Sequence, residues 1–400
     1  MKLPSAEEVR KGHGRLTYQE AMSLISLPGK VASGGEVTRR YMSRRSAWIP
    51  GVDFVPLAME LGTGVFKPTA TFGGHVYSQA GLAASLSFRA AQKAAANGGQ
   101  DKKFGIHTIH GFFSEAGRGD RPFIYEVTNL ASNASFPNLL VTARQPTSPS
   151  TNPERDYYPD ADADLPLGPV CFSAIVSFRP STISRLATQE PPPRTRFAEI
   201  LDSRPPADWD PAPIADIDAM LDALPGSRHA VGMFPGLEMR KVDMRAYNAG
   251  RPLHERRELV LHRLLAPLLP ATPGDGGGNE DCAIAGADAH ICAHAYAADR
   301  NGLLLIGNNT AEFGLETAGA ASLSYSFAVH VDAEDAVMAC DEGPPGQWWV
   351  QEACFPRVQA GRGIIHSKIW SPRGVHVATM YQDGILRWKS GRRDEGAGKL

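Results

Sequence analysis

The sequence predicts an α+β protein assembled from two similar units, and two observations lead there. Each half carries one helix that is apolar nearly all round, near 74–95 and near 287–304. Each of these helices is followed by a run of strand signals. A helix without a polar face has to be buried, and one buried helix followed by an antiparallel run is an α+β unit. The length of 400 residues agrees, because a prior of about 150 residues per domain gives two or three. Residue identity between the halves is too low to establish a repeat from the residues alone.

Taken in chain order, the first 50 residues are basic, with Arg39-Arg40 and Arg44-Arg45 close together, and read as a solvated strand or arm. Gly73-Gly74 opens the first helix, apolar positions recur at helical spacing through Ala94, and Asn97-Gly98-Gly99 stops it. Strand signals follow at Phe104–Phe113, Pro122–Asn129 and Phe136–Arg144, then at Val170–Phe178 after an insertion. The polar insertion, Thr147–Leu167, contains Asp160-Ala161-Asp162-Ala163-Asp164. A calcium loop would need Gly at its sixth position and Glu at its twelfth, where Leu165 and Cys171 stand. A solvated loop is therefore expected. Residues 180–225, with Pro191-Pro192-Pro193 and Pro205-Pro206, read as a linker with one short helix.

The second half repeats the grammar. Strand signals at Leu237–Met244 and Glu258–Leu265 lead to a Gly-rich loop, Gly274–Gly278. The second helix, from Ala287 to about Leu304, carries His290, His294, Tyr296 and Asp299. Strands are expected at Leu323–Val331, Ile364–Trp370 and Val375–Leu386.

Composition excludes several classes. The net charge of −2 argues against a nucleic-acid binder, which usually shows a basic domain or stripe. No segment reaches the ~18 consecutive apolar residues of a membrane span. Gly 40 and Pro 31 in 400 residues exceed an average near ~12%, so long loops are expected. The five cysteines (Cys171, Cys282, Cys292, Cys340, Cys354) show no CxxC spacing and read as reduced thiols rather than a disulfide frame or zinc site. The first residues lack the apolar core of a signal peptide, and a soluble intracellular protein is expected.

Asp299 is the conspicuous candidate for chemistry. A carboxylate on a core helix needs partners, and burial raises its pKa. It reads either as a catalytic group or as a satisfied structural residue pairing Arg300 or capping a turn. Ser322 begins a strand and Gln382 lies near a strand end; on their own, such residues are more often surface polar groups. No GxSxG elbow, P-loop, dinucleotide fingerprint or HExxH is present. His107 and His110 are three apart on a strand and face opposite sides. His290 and His294 are one helical turn apart but lack the accompanying Glu. No metal is assigned.

Several short blocks, in order over most of the chain, resemble the type II (TesB-like) acyl-CoA thioesterases. Phe72-Gly73-Gly74-His75-Val76-Tyr77-Ser78-Gln79-Ala80 resembles that family's F-G-G-Q-x-x-x-Q-A signature. Ile106–Phe113, Arg121–Val127 and Ser135-Phe136 with Val141 and Gln145 are similar to its next blocks. His290–Asp299, Ala321–His330 and Val377–Arg387 look like those that carry its active site. The departures are His75 for the usual glutamine, Leu139-Leu140 for a paired arginine, and Ser324-Tyr325 for an Asp-His. They bear on the substrate more than on the reaction.

The resemblance implies a double hotdog, two long helices each wrapped by an antiparallel sheet. Its units would be an N-terminal one over 1–180 with the arm and the 147–167 insertion, a Pro-rich linker over 181–225, a second unit over 226–390 and a tail over 391–400. An insertion at 266–281 is extra. It also implies hydrolysis of acyl-CoA thioesters by a water that Asp299 activates and Ser322 and Gln382 orient, with no metal, cofactor or covalent intermediate. The amides of Gly74 and His75 become candidate oxyanion donors, and His107 a candidate substrate contact. Two rival readings share the fold: release of a polyketide or fatty acyl chain from an acyl carrier protein, and acyl-CoA binding without turnover. A homodimer is expected from the resemblance. The C-terminal Gly398-Lys399-Leu400 is a weak variant of a peroxisomal address, so a cytoplasmic location is the first expectation and a peroxisomal one the second.

Overall fold

The computed structural model describes residues 15–31, 37–52, 55, 70–95, 103–131, 133, 135–152, 157–212, 234–268, 282, 284–300, 302–310, 317–338 and 347–388. Its frame is thirteen strands: β1 (Leu24–Val31), β2 (Val37–Ser43), β3 (Phe104–Phe113), β4 (Ile124–Ala131), β5 (Asn138–Pro146), β6 (Leu167–Pro180), β7 (Asp210–Pro211), β8 (Leu237–Lys241), β9 (Glu258–Leu264), β10 (Thr317–Val329), β11 (Trp349–Gln359), β12 (Arg362–Trp370) and β13 (His376–Trp388). They form one sheet in the order β1-β2-β4-β5-β6-β3-β10-β13-β12-β11-β9-β8-β7. Every pairing is antiparallel.

The strand order repeats about the centre. β3 pairs with β10, with Gly111 opposite Tyr325. Outward from that seam the halves run β3-β6-β5-β4-β2-β1 and β10-β13-β12-β11-β9-β8. In each half the strand that follows the long helix takes the central place, and the last strand pairs with it. Residue identity between the halves gives no hint of this correspondence of connections.

Two long helices, α1 (Gly73–Ala95) and α2 (Ala287–Asp299), pack on each other and against the sheet. Residues 74–85 of α1 are all buried, as are 288–299 of α2, as expected for helices without a polar face. Their approach depends on Gly81, where a Cβ would lie 2.8 Å from Cys292 Sγ. Ser78 Oγ donates to the Cys292 carbonyl across the contact (3.1 Å). At the start of α2, Asp288 accepts from Ser85 Oγ (2.5 Å), Arg89 Nη2 (3.0 Å) and the Ile106 amide (2.9 Å). That carboxylate ties the two helices and β3 together.

Several expectations need correction. The basic first 50 residues contain two paired strands, with Leu24, Ile25 and Met42 fully buried. The cationic side chains dilute the strand pattern; Lys30 and Arg40 both reach Glu126. The second helix ends at Asp299 rather than near 304, and a separate short helix, α3 (Leu304–Thr310), follows. The Asp160–Asp164 segment is a 3-10 turn rather than a solvated loop. Its Asp162 is buried, accepting from Ser150 Oγ (2.5 Å) and Thr151 Oγ1 (2.7 Å). The linker holds two single helical turns, Pro193–Arg196 and Ala198–Leu201. Phe197, Leu201 and Trp209 join a second core with Val242, Leu259 and Trp370, and Arg196 pairs bidentately with Glu352 (2.7 and 2.5 Å). β11 had no expected counterpart, because Gln351, Glu352, Pro356 and Arg357 obscure its alternation. Residues 1–14, most of the 266–281 insertion, the Gly274–Gly278 loop, residues 213–225 of the linker and the tail with Gly398-Lys399-Leu400 lie outside the described residues. No helix among the described residues is long and apolar enough to cross a membrane.

Candidate active site

Asp299 closes α2, Ser322 stands on β10 and Gln382 on β13, the strand paired with β10. The pairing brings Gln382 opposite Tyr325, and the register shifts between Ser322 and Ser324. A bulge of this kind re-aims a side chain, and here it lets Ser322 share a face with Gln382. Gln382 Nε2 donates to Asp299 Oδ1 (2.5 Å) and to Ser322 Oγ (2.7 Å). Both amide hydrogens are thereby committed, so the Ser322 hydroxyl, accepting from the amide, keeps its own hydrogen to donate.

Glycines make the convergence possible. A Cβ on Gly302 would lie 2.4 Å from Gln382 Oε1, and one on Gly74 would lie 2.7 Å from the Phe72 ring and 3.1 Å from Asp299 Cβ. A Cβ on Gly384, inside β13, would lie 2.1 Å from Leu303 Cδ1 and 2.7 Å from the Ala321 carbonyl oxygen. Gly302 and Gly384 were missed as site residues. A glycine inside an apolar strand is itself a signal of close approach, but an Asp-Gly pair such as Asp383-Gly384 is equally a turn signal.

Burial raises the Asp299 carboxyl to about 7, against the opposing pull of hydrogen bonds from the Gly74 amide and Gln382. Gln382 is almost wholly buried and Asp299 is 7% exposed. The three polar groups line a cavity of about 670 Å³ whose remaining wall is largely apolar, including Phe72, Val76, Phe113, Phe172, Leu303 and Ile385. A volume of this order holds a drug-sized ligand.

Other candidates fall elsewhere or are already engaged. The Gly74 amide bonds the Asp299 carboxylate, and the His75 amide donates to the Phe72 carbonyl (3.1 Å). The His75 ring lies in the core, where burial lowers its pKa to about 3. It is a neutral core side chain and does not line the cavity. His107 sits on β3 with its ring 5.4 Å from that of Phe136 and is not among the residues that line the cavity. His294 pairs with His262 (3.1 Å) and with the Ala336 carbonyl (2.9 Å), while His290 Nδ1 accepts from the Met338 amide (3.2 Å). Both are core hydrogen-bonding groups. Among the described residues no three His, Cys, Asp or Glu side chains are grouped to hold a metal ion.

No protein-family model matches the chain, and no curated protein matches it in sequence. Solved structures do match. The acyl-CoA thioesterase II TesB2 of Mycobacterium marinum is similar over 94% of this chain and 100% of its own, at 19% identity and a TM-score of 0.50. A conserved protein of unknown function with a hot dog fold from Alicyclobacillus acidocaldarius is similar over 92% of this chain and 97% of its own, at 13% identity and a TM-score of 0.50. The chain has the hotdog fold.

Proposed function

We propose that this protein is a thioester hydrolase of double-hotdog organisation that cleaves acyl-CoA to the free acid and CoA. The observation that carries the reading is the meeting of Asp299, Ser322 and Gln382, 23 to 83 positions apart in sequence, in the wall of one largely apolar cavity. Residues 1–180 and 226–390 are assigned to the two units, 181–225 to the linker and 391–400 to the tail.

In the proposed reaction a water attacks the thioester carbonyl carbon while Asp299 takes its proton. The new C–O bond yields a tetrahedral oxyanion. Its collapse breaks the C–S bond, and the departing thiolate recovers the proton from Asp299. General-base action of this type contributes roughly 10²–10⁴-fold in rate. A carboxyl raised to about 7 suits both halves, since it is ionised enough to accept a proton and acidic enough to return it. Ser322 directs its free hydroxyl hydrogen at the water or the carbonyl oxygen. Gln382 has no free amide hydrogen, so its part is to hold Asp299 and Ser322 in register. That differs from the expected role of contacting the water directly.

The largely apolar lining suits an acyl chain, and the Ser322 hydroxyl lies against the Gln382 amide, a contact that orients the hydroxyl without activating it as a nucleophile. The test is thiol release from a series of acyl-CoA thioesters, with Asp299→Asn as the control. Thiol release by the wild type that the variant lacks supports the reading; equal rates in both defeat it.

A further inference from the structure

The proposed base stands at the C-terminal end of α2, since Asp299 is the last residue of that helix. The last carbonyls of a helix lack intrahelical donors and carry partial negative charge. A carboxylate among them is poorly placed unless other groups donate to those carbonyls. Two carbonyls near this end receive donors from the sheet. Tyr325, on β10, donates its hydroxyl hydrogen to the Ala295 carbonyl (2.8 Å). Gln351, on β11, donates from Nε2 to the Ala298 carbonyl (2.9 Å).

The Ala298 bond stands in for one that the helix does not make. In a continued helix that carbonyl would accept from the amide four residues on, Gly302. The Gly302 amide donates instead to the Asp299 carbonyl (3.2 Å), and Gln351 takes its place. The second Gln351 amide hydrogen goes to Ser367 Oγ on β12 (2.9 Å). Both hydrogens are thereby committed, and the orientation of the amide is fixed.

The neighbours of Gln351 on the inner face of β11, Trp349, Ala353 and Phe355, belong to the apolar core. An apolar side chain is the default at such a position, because burying an amide costs free energy unless it is hydrogen-bonded. Gln351 is 2% exposed and does not line the cavity. An effect of Gln351 on the reaction therefore runs through the end of α2.

We propose that Gln351 is a positioning residue for thioester hydrolysis, holding the Ala298 carbonyl and with it the end of α2 where Asp299 meets Gln382 and Ser322. This role rests on the hydrolase reading above. Loss of the donor lets the terminal turn shift and misplaces the carboxylate. It also leaves the negative end of the Ala298 carbonyl unopposed one residue from Asp299, which disfavours the ionised carboxylate. Facing Asp299 from the surrounding elements are Tyr77 on α1 and Tyr325 on β10. Arg300 is adjacent in the chain, and the exposed Glu115 shares the cavity wall. Burial holds both phenols well above their ordinary range, so neither titrates near pH 7, and Arg300 stays charged.

Steady-state thiol release from a series of acyl-CoA thioesters, followed from about pH 5 to about pH 9, tests the role. Gln351→Met keeps the length of the side chain and removes both donors. Gln351→Glu keeps its shape and sets an acceptor against the Ala298 carbonyl. Each is first checked for an unchanged circular dichroism spectrum. In both, kcat should fall roughly ten- to a hundredfold, with KM within about twofold of the wild type. The midpoint of kcat/KM against pH should move upward by about half a unit. A lower melting temperature with wild-type kcat and midpoint makes Gln351 purely structural and overturns the proposal.

Should neither variant fold, Ser367→Ala removes the second anchor of the same amide and has to show both changes at smaller size. Wild-type values there overturn the proposal. No thiol release by the wild type from any acyl-CoA ends the hydrolase reading, and the Gln351 role falls with it. Wild-type turnover with unaffected variants ends the Gln351 role alone.

Discussion

Gln382 Nε2 lies 2.5 Å from Asp299 Oδ1, so the glutamine amide is a direct donor to the carboxylate at the end of the buried helix α2. The same nitrogen reaches Ser322, and this shared donor makes the three residues one unit.

Asp299→Asn keeps side-chain volume while removing the proposed base. Thiol release should fall by about two to four orders of magnitude. Ser322→Ala and Gln382→Ala should each cost less. Combining either with Asp299→Asn should add little, because the three groups serve one water. Steady-state kinetics of the single and double variants would decide this, and additive losses would speak against a shared unit.

The pH profile has a definite direction. If ionised Asp299 is the base, kcat/KM rises with pH to a plateau, with its midpoint at about 7. The Gln382 hydrogen bond lowers that pKa, so Gln382→Ala should move the midpoint upward. A flat wild-type profile between pH 5 and pH 9 would remove Asp299 from the proton transfer.

Stability should carry the mark of the same group. Burial raises the folded-state pKa of Asp299 from 3.8 to about 7, so folding favours its protonated form. The associated stability is fully present below the unfolded value and is lost as pH rises through the folded one. The penalty above pH 7 is of the order of a few kcal/mol. Asp299→Asn should therefore raise the melting temperature more at pH 8 than at pH 5.

The buried His262–His294 pair predicts the opposite trend on the acid side. Burial lowers the pKa of His262 to about 3, and that of His294 well below its ordinary value of 6.5. Neutral rings are stabilised, so their contribution is complete above 6.5 and declines as pH falls toward 3. Urea unfolding midpoints measured at pH 7 and pH 4.5 should show the loss. It should shrink in a His262→Asn, His294→Leu double variant that retains the fold.

Gly302→Ala should impair activity without direct contact with substrate. Its new Cβ would fall 2.4 Å from Gln382 Oε1, forcing the amide away from Asp299 and Ser322. Overpacking of this kind also costs about 1–3 kcal/mol. A Gly302→Ala protein with wild-type kinetics would show that Gln382 need not hold its observed place.

Local chemistry made much of the fold legible. The two all-round apolar helices were expected to be buried; residues 74–85 of α1 and 288–299 of α2 are, while the last turns of α1 expose Arg89, Ala91, Lys93 and Ala94. Most of the strands following them carried clear alternation and were found within a few residues. What stayed hidden was where the pattern was diluted: β1 and β2 among arginines and lysines, and β11 across its charged and proline positions. In the same way Asp162 looked solvated until Ser150 and Thr151 closed around it.

Asp299 stood out because a carboxylate in a core helix needs an explanation, while Ser322 and Gln382 entered only through a resemblance to a known family. Nothing in a strand's own sequence distinguishes a serine turned inward by a bulge from one facing solvent. By itself the sequence determined which segments must be buried, since burial follows from local apolar periodicity. The tertiary structure alone decided which polar groups meet, because a hydrogen bond between residues 299 and 382 depends on the register of β10 against β13 and on the space left by Gly74, Gly302 and Gly384. Those are relations between distant segments, and no local pattern encodes them.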